Sequence, residues 1–424
     1  MNQTRTVSNK KISGTVKVPQ SKALLHRYLI CSGLSKENPL IICTNDSDDV
    51  MATKRCLVDL GLENGAEAVT FSDSIYRLEC TDCASTYKFL MPVACALNKK
   101  CRYQLSDRLS YNSMDSFYKA LRPHGVRKDA LETGLIEVSG QMTAGTFLIP
   151  GTCDGQALSG LLLALPLLKE NSTVMVEKAP ESESYVDMTV EIMREAGIQV
   201  NTAREEQGIS RIYKVNGGQK YDLDLGIAVE GDWSLAAFFL VSGAITGSKV
   251  TCTDMNIRSL QGDRRILKIL DLFGARIEIR KSREHELWHD ISVCGGKLSG
   301  IRINAREIPD LIAPVMLLAS AAEGVTVLKN AAGLRMSRER LGKMADVLNG
   351  LGGQAAISGN DLLIAGNSGA GLEGGTVSSN GDHRMAMMAA AAAGICKNEV
   401  IIENSDVVSK SYPGFYGELE RMKN

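Results

Sequence analysis

Apolar and polar positions along the chain fall into two alternating textures. One is a solid apolar block, such as Ala157 to Leu168 or Leu311 to Ala322. The other is a mixed stretch with apolar residues at helical spacing that ends at Gly, as in "DDVMATKRCLVDLG". Solid blocks predict helices buried all round, and mixed stretches predict helices with one wet face. Short β-branched runs ending in turns separate them and predict strands. The order strand, apolar helix, strand, amphipathic helix recurs at roughly 65 to 80 residues, so six copies span the chain. Their openings read "KISGTVKVPQSKALLHRYLI", "YRLECTDCASTYKFLMPVACA", "AGTFLIPGTCDGQALSGLLLALPLL", "LGIAVEGDWSLAAFFLVSGA", "LSGIRINAREIPDLIAPVMLLAS" and "GGTVSSNGDHRMAMMAAAAAG". The second copy is the weakest. Extra strand pairs such as "IYKV" and "DLLIAG" fit between copies. The pattern implies an α/β protein of two domains with three repeats each, apolar helices inside and sheets outside.

The same place in each copy, the strand-to-helix turn, carries unusual residues. These are Lys22, Ser85-Thr86 with Lys88, Asp154 with Gln156, Asp232, Asp310, and Asp382-His383-Arg384. A cation at a helix start opposes the helix dipole, which favours anions there. Lys22 either snorkels into solvent or serves an anionic ligand, and the recurrence of charged residues at this turn favours the ligand. Helix N-termini with free N–H groups are ready anion sites. Pseudo-symmetry would turn several of them toward one cleft, suited to a multiply charged ligand. Asp232 and Ser234 read as helix caps.

Bulk composition narrows the class. The chain has 424 residues, 44% hydrophobic and 23% charged, with a formal net charge of -1. That balance argues against nucleic acid as a partner. The apolar blocks are shorter than a membrane span, and "MNQTRTVSNKK" lacks the apolar core of a signal peptide. Eleven scattered Cys suggest reduced thiols in a cytoplasm. Cys80 and Cys83 form one C-x-x-C, read as buried thiols rather than a metal site because no second pair lies nearby.

The ordered set "VPQSKALLHR", "NDSDDV", "EGDWSLAAFFL", "LQGD", "EIPDL", "NGDHRMAM" and "SKSYPGF" resembles the 5-enolpyruvylshikimate-3-phosphate synthase family, from about Lys11 to Tyr416. The resemblance implies a two-domain inside-out α/β barrel of six βαβαββ repeats, three per domain. It places crossovers near Val16 to Pro19 and Val229 to Asp232. Residues 1–17 with 231–424 would form the domain carrying the phosphoenolpyruvate-side cations and the catalytic Asp, and residues 18–230 the acceptor-binding domain. The implied reaction moves enolpyruvyl from phosphoenolpyruvate to a hydroxyl of 3-phosphoshikimate and releases phosphate, in aromatic amino acid biosynthesis. No metal or organic cofactor is implied, and the chain is expected to act as a cytoplasmic monomer with no membrane partner.

Carried over residue by residue, the resemblance implies Lys22, Asp310 and His383 as catalytic groups, with Asp310 taking the hydroxyl proton. Lys22, Ala23, Arg27, Asp154, Gly155, Gln156, Ser182, Tyr185, Asp310 and Met336 would line the acceptor, Arg27 holding its carboxylate. Lys22, Ala84, Asn112, Gln156, Arg340, Arg384 and Lys410 would meet phosphoenolpyruvate. Several positions depart from the family pattern. Gln20 and Ala84 stand where the family has Gly, and Ala23 and Asp154-Gly155 where it has Ser. An Arg expected near Asn112 is missing, and in "LRMSRERL", aligned without a gap, Met336 takes the place of a Lys and Ser337 of a Glu used in proton transfer. A one-residue gap would let Arg338 stand in for the Lys, but no alignment restores both. A carboxylate within a few Å of a phosphate dianion costs on the order of several kcal/mol unless a cation intervenes, so Asp154 raises the question of an acceptor without the phosphate. A synthase, a transferase acting on another alcohol, and a non-catalytic ligand-binding descendant all remain open at this level. A sister enzyme acting on UDP-N-acetylglucosamine is disfavoured because "LSDRLSYNSMDS" has no Cys.

Overall fold

The computed structural model describes residues 3–37, 39–62, 75–110, 114–177, 183–204, 209–224, 226–283, 285–333 and 336–423. The chain divides into two compact units. A central unit holds Lys22–Cys43 and Asp48–Val229, and a terminal unit holds Met1–Ser21, Thr44–Ser47 and Glu230–Asn424. Each has its own apolar core.

In the central unit the named helices are α1 (Lys22–Leu34), α2 (Asp48–Asp59), α3 (Ala84–Ala96), α4 (Gly155–Ala164) and α5 (Glu183–Glu195). In the terminal unit they are α6 (Trp233–Thr246), α7 (Ile312–Ala321), α8 (Arg338–Gly350) and α9 (His383–Ala392). The apolar blocks are interior helices. Every residue of α7 is buried, as is every residue of α3 from Thr86 to Cys95. The mixed stretches α2, α5 and α8 keep charged faces and bury a mainly apolar stripe, which in α2 includes Asp49 and Thr53 and in α5 Thr189, as the periodicity requires.

Four four-stranded sheets share one topology. In the central unit, Tyr76–Thr81 runs parallel to Cys101–Leu105, and the hairpin Arg127–Glu132 with Leu135–Ser139 adds its second strand beside Cys101–Leu105. Thr146–Ile149, Ser172–Val176, Val200–Ala203 and Arg211–Val215 repeat that order. In the terminal unit it recurs in Arg302–Asn304, Val325–Lys329, Gln354–Ser358 and Asp361–Ala365. It recurs again in Gly14–Lys17, Val250–Met255, Arg276–Lys281 and His289–Cys294, with the central unit's chain running between the first two strands. The parallel pair needs a crossover, and the apolar helix supplies it. Gly375–Ser378 and Val400–Glu403 pair likewise and take their third strand, Arg5–Val7, from the N-terminal end. A short parallel pair joins Ile41–Ile42 to Ile227–Ala228. Among the described residues no sheet closes on itself.

The strands that lead into and out of the central unit are fastened together. Ser21 N donates to the Glu230 carbonyl (2.8 Å) and Asp232 N to the Pro19 carbonyl (2.9 Å). The Gln20 amide oxygen accepts from Thr44 N (2.7 Å), and the Gln20 carbonyl from Asn45 Nδ2 (2.8 Å). Gln20 therefore binds the short excursion Thr44–Ser47 to both crossing strands, which a Gly here could not do through a side chain. Buried Glu230 accepts from Ser259 Oγ and from Gln261 Nε2 (2.7 Å), anchoring the second crossing strand. These contacts fix where α1 begins, one residue after Ser21.

Close helix approach sets the rest of the central unit. A Cβ on Gly160 of α4 would lie 2.1 Å from the Lys88 carbonyl and 2.9 Å from Phe89 Cα of α3. Only a hydrogen fits there, so the two backbones meet. Gly160→Ala is expected to cost about 3 kcal/mol or more, read by denaturant unfolding. Gly417→Ala is the control: its site is exposed and open in a helix, so it should be neutral or stabilise by up to about 1 kcal/mol.

Candidate active site

Each unit carries a polar cluster at the starts of its buried helices. In the central unit the cluster rests on a carboxylate–ammonium pair. Lys88 sits one turn into α3, in an otherwise apolar face, and its side chain is 3% exposed. A buried ammonium needs an anion, and Asp154 supplies it through Oδ2. The other oxygen of Asp154 accepts from Ala157 N (2.9 Å) and caps α4. One carboxylate thus closes a helix and neutralises a cation. Removing one partner of such a pair costs about 3–5 kcal/mol.

Lys22, first residue of α1, does not snorkel. Its ammonium lies 2.6 Å from Asp49 Oδ2, which sits in the first turn of α2 where the dipole favours an acid. Gln156 Nε2 donates to Ser85 Oγ (2.9 Å), tying the start of α4 to that of α3. Gly155 opens α4 beside it, buried. A buried chain of polar groups runs behind: His26 Nδ1 to Thr53 Oγ1 (2.7 Å), Thr53 Oγ1 to Thr86 Oγ1 (2.6 Å), and Thr86 Oγ1 to Cys83 Sγ (3.0 Å). It locks the starts of α1, α2 and α3 in register.

Arg27 is wholly buried. Nε donates to Thr189 Oγ1 (2.7 Å), Nη1 to the Ala23 carbonyl (2.6 Å) and Nη2 to the Tyr185 carbonyl (2.9 Å), while the guanidinium covers the Phe89 ring at 4.9 Å. Arg27 thus links α1, α3 and α5, a structural task additional to the expected carboxylate contact. Tyr185 is buried, and Ala23 and Ala84 are half-buried at the first turns of α1 and α3. Ser182 and Asn112 lie outside the described residues.

The terminal unit repeats the device with arginines. Asp382 caps α9 by accepting from Arg384 N (2.9 Å), and its second oxygen accepts from Arg340 Nε (2.7 Å) of α8. Arg340 is therefore an ion-pair partner rather than part of a solvated face. Ser337 caps α8 by accepting from Arg340 N (3.1 Å) and so holds the start of the helix that presents Arg340. Arg384 Nη2 lies 3.1 Å from Asp310 Oδ2 and Nη1 lies 3.0 Å from His383 Nε2. A guanidinium only donates, so in this contact His383 Nε2 is the acceptor, and Nδ1 lies 3.9 Å from Asp382 Oδ1. Arg340, Asp382, His383, Arg384 and Asp310 thus form one connected group. Lys410, half-buried, ends the one-strand-later 3-10 turn Ser405–Lys410, which packs on α9.

Met336 is 1% exposed and belongs to the terminal unit's core, where a thioether packs and a Lys would need a counter-charge. Asp154 is not an isolated carboxylate, because Lys88 intervenes. Asp232 is a cap, accepting from Ser234 N and Leu235 N. Asp382 stands out in the sequence at its strand-to-helix turn, whereas Asp49 and the pairing of Lys88 with Asp154 do not. A lone Lys in "STYKFLMPVACA" signals a missing acid, but nothing local says which. All eleven Cys are free thiols. Among the described residues no group of His, Cys, Asp or Glu could hold a metal ion, and no helix is long and apolar enough to cross a membrane.

Burial alone would push the Asp382 carboxyl up, but Arg340, with Arg384 beside it, outweighs this and leaves it below the ordinary carboxylate value. A carboxyl depressed in the folded state adds stability above its unfolded value, about 3.9, and loses it as pH falls through the folded value. Asp382→Asn is expected to lose about 3–5 kcal/mol at pH 7, with the gap to the parent protein closing below about pH 4 in denaturant unfolding.

The model for EPSP synthase (3-phosphoshikimate 1-carboxyvinyltransferase) matches residues 7–419. A 3-phosphoshikimate 1-carboxyvinyltransferase from Clostridium perfringens is 32% identical, over 98% of this chain and 97% of its own. Among solved structures, EPSP synthase from Acinetobacter baumannii superposes with a TM-score of 0.79 at 23% identity, covering 100% of this chain and 98% of that one. The enolpyruvyl transferase NikO from Streptomyces tendae gives a TM-score of 0.74 at 16% identity, covering 99% and 97%. The two structures speak to the fold, which is α/β with two domains. With a family match along nearly its whole length and a relative above three-tenths identity, the chain belongs to the EPSP synthase family.

Proposed function

We propose that this protein transfers enolpyruvyl from phosphoenolpyruvate to a hydroxyl of 3-phosphoshikimate and releases phosphate, a step in aromatic amino acid biosynthesis. The observation that carries the reading is the group Arg340–Asp382–His383–Arg384–Asp310, which joins two guanidiniums to a carboxylate able to take a proton. Phosphoenolpyruvate carries a carboxylate and a phosphate, and forked guanidiniums suit both. Arg340, Arg384 and Lys410 hold this donor, and Lys22 and Gln156 are the further residues proposed to meet it. Lys22, Ala23, Arg27, Gly155, Gln156, Ser182 and Tyr185 take the acceptor.

The hydroxyl oxygen adds to C2 of phosphoenolpyruvate as C3 gains a proton. The C2–O bond to phosphate then breaks, and C3 loses a proton to regenerate the double bond. Asp310, beside Arg384, takes the hydroxyl proton. Lys22 and His383 complete the proton-handling set. Arg340 and Arg384 balance charge on the departing phosphate.

The reading extends to the architecture. Two domains of three βαβαββ units form an inside-out barrel, and the shared strand order of the four-stranded sheets supports this. The terminal unit bears the donor's anions and the central unit the acceptor. The chain works as a cytoplasmic monomer without metal or organic cofactor.

The test is phosphate release from phosphoenolpyruvate with 3-phosphoshikimate. Turnover above about 1 per second, ordinary for enzymes, is expected. No acceptor-dependent release would overturn the reading. Asp310→Asn should lower kcat by about 10²–10⁴-fold, the range for a general base, with the KM for phosphoenolpyruvate little changed. An equal loss through KM alone would remove Asp310 from the proton-transfer role.

A further inference from the structure

The Lys88–Asp154 pair is built unevenly. Lys88 is closed off, with 3% of its side chain exposed, whereas Asp154 keeps 18%. The ammonium is nearly enclosed and the carboxylate is the more exposed partner, so an anion that pairs with Lys88 has to compete with Asp154. Asp154 also takes the amide proton of Ala157. Both features that would draw an anion here, a buried cation and a helix start, are already satisfied by a resident anion. Gly155, next in the chain, brings no side chain of its own, and Gln156 is engaged with Ser85.

This inference rests on the proposed acceptor site and on the expectation, implied by the family resemblance, that Asp154 lies beside the acceptor's phosphate. A phosphate dianion and a carboxylate compete for one ammonium, and two adjacent anions on a single cation repel. We propose that Asp154 is a specificity-determining residue, a built-in counter-anion that competes with the acceptor's phosphate for Lys88 and the α4 N-terminus. It lowers affinity for a phosphorylated acceptor and leaves that for the same ring without phosphate unchanged. The role differs from that of Asp382, whose Arg340 side chain is 27% exposed and so is not shielded by its own carboxylate.

The test is calorimetric titration of 3-phosphoshikimate and of shikimate into the full chain at fixed ionic strength, with parent protein, Asp154→Ser and Asp154→Asn. Ser and Asn both cap helices well, so these changes remove the charge and keep the cap. Both should bind 3-phosphoshikimate at least tenfold more tightly than the parent, with shikimate changed less than twofold. Adding Lys88→Met to Asp154→Ser should abolish the gain, which loss of a purely structural contact would not do. A gain below tenfold in both single variants, an equal gain for shikimate, or a gain that survives Lys88→Met would overturn the proposal, as would failure of every variant to bind either ligand. Phosphate release is scored separately. If it is absent while the binding pattern holds, enolpyruvyl transfer is wrong and the role of Asp154 stands.

Discussion

A carboxylate at the start of a buried helix, shared between that helix's first amides and a cation from a neighbouring helix, is the contact on which both polar clusters depend. Asp154 does this for α4 and Lys88, and Asp382 for α9 and Arg340. Neither the cation nor the helix start could be buried alone without an unmet charge or unpaired N–H groups. Joined, they bring polar chemistry into an otherwise apolar packing of helices. The close approach at Gly160 sets Lys88 within reach of Asp154, and the Ser337 cap does the corresponding work for Arg340.

Much of the architecture is legible from local pattern. Solid apolar blocks become interior helices, the mixed stretches become half-wet ones, and charged residues gather at the turns between strand and helix. Such patterns are written within one turn or one strand pair. Partner choice is not. Lys22 and Asp49 are 27 residues apart, Arg340 and Asp382 42, and Lys88 and Asp154 66. A sequence shows that each charge needs a partner, but packing decides which one. For the same reason Arg27 reads simply as a ligand group, although three helices also depend on it, and Met336 reads as lining although it is core.

The departures from the family pattern look different beside their neighbours. Gln20 fastens three chain segments at the entry to the central unit. Ser337 holds a helix start. Asp154 caps α4 and pairs with Lys88. Each of these residues makes its own local contacts, and the group around Arg384 and Asp310 is connected.

Enolpyruvyl transfer is tested most directly by the product's covalent structure. The acceptor should be recovered after incubation with phosphoenolpyruvate and the full chain, and examined by mass spectrometry and NMR. The expected product carries a carboxyvinyl ether in place of one hydroxyl hydrogen, with one phosphate released per ether formed. Phosphate released alongside pyruvate, with the acceptor unchanged, would contradict transfer and make the protein a phosphoenolpyruvate hydrolase.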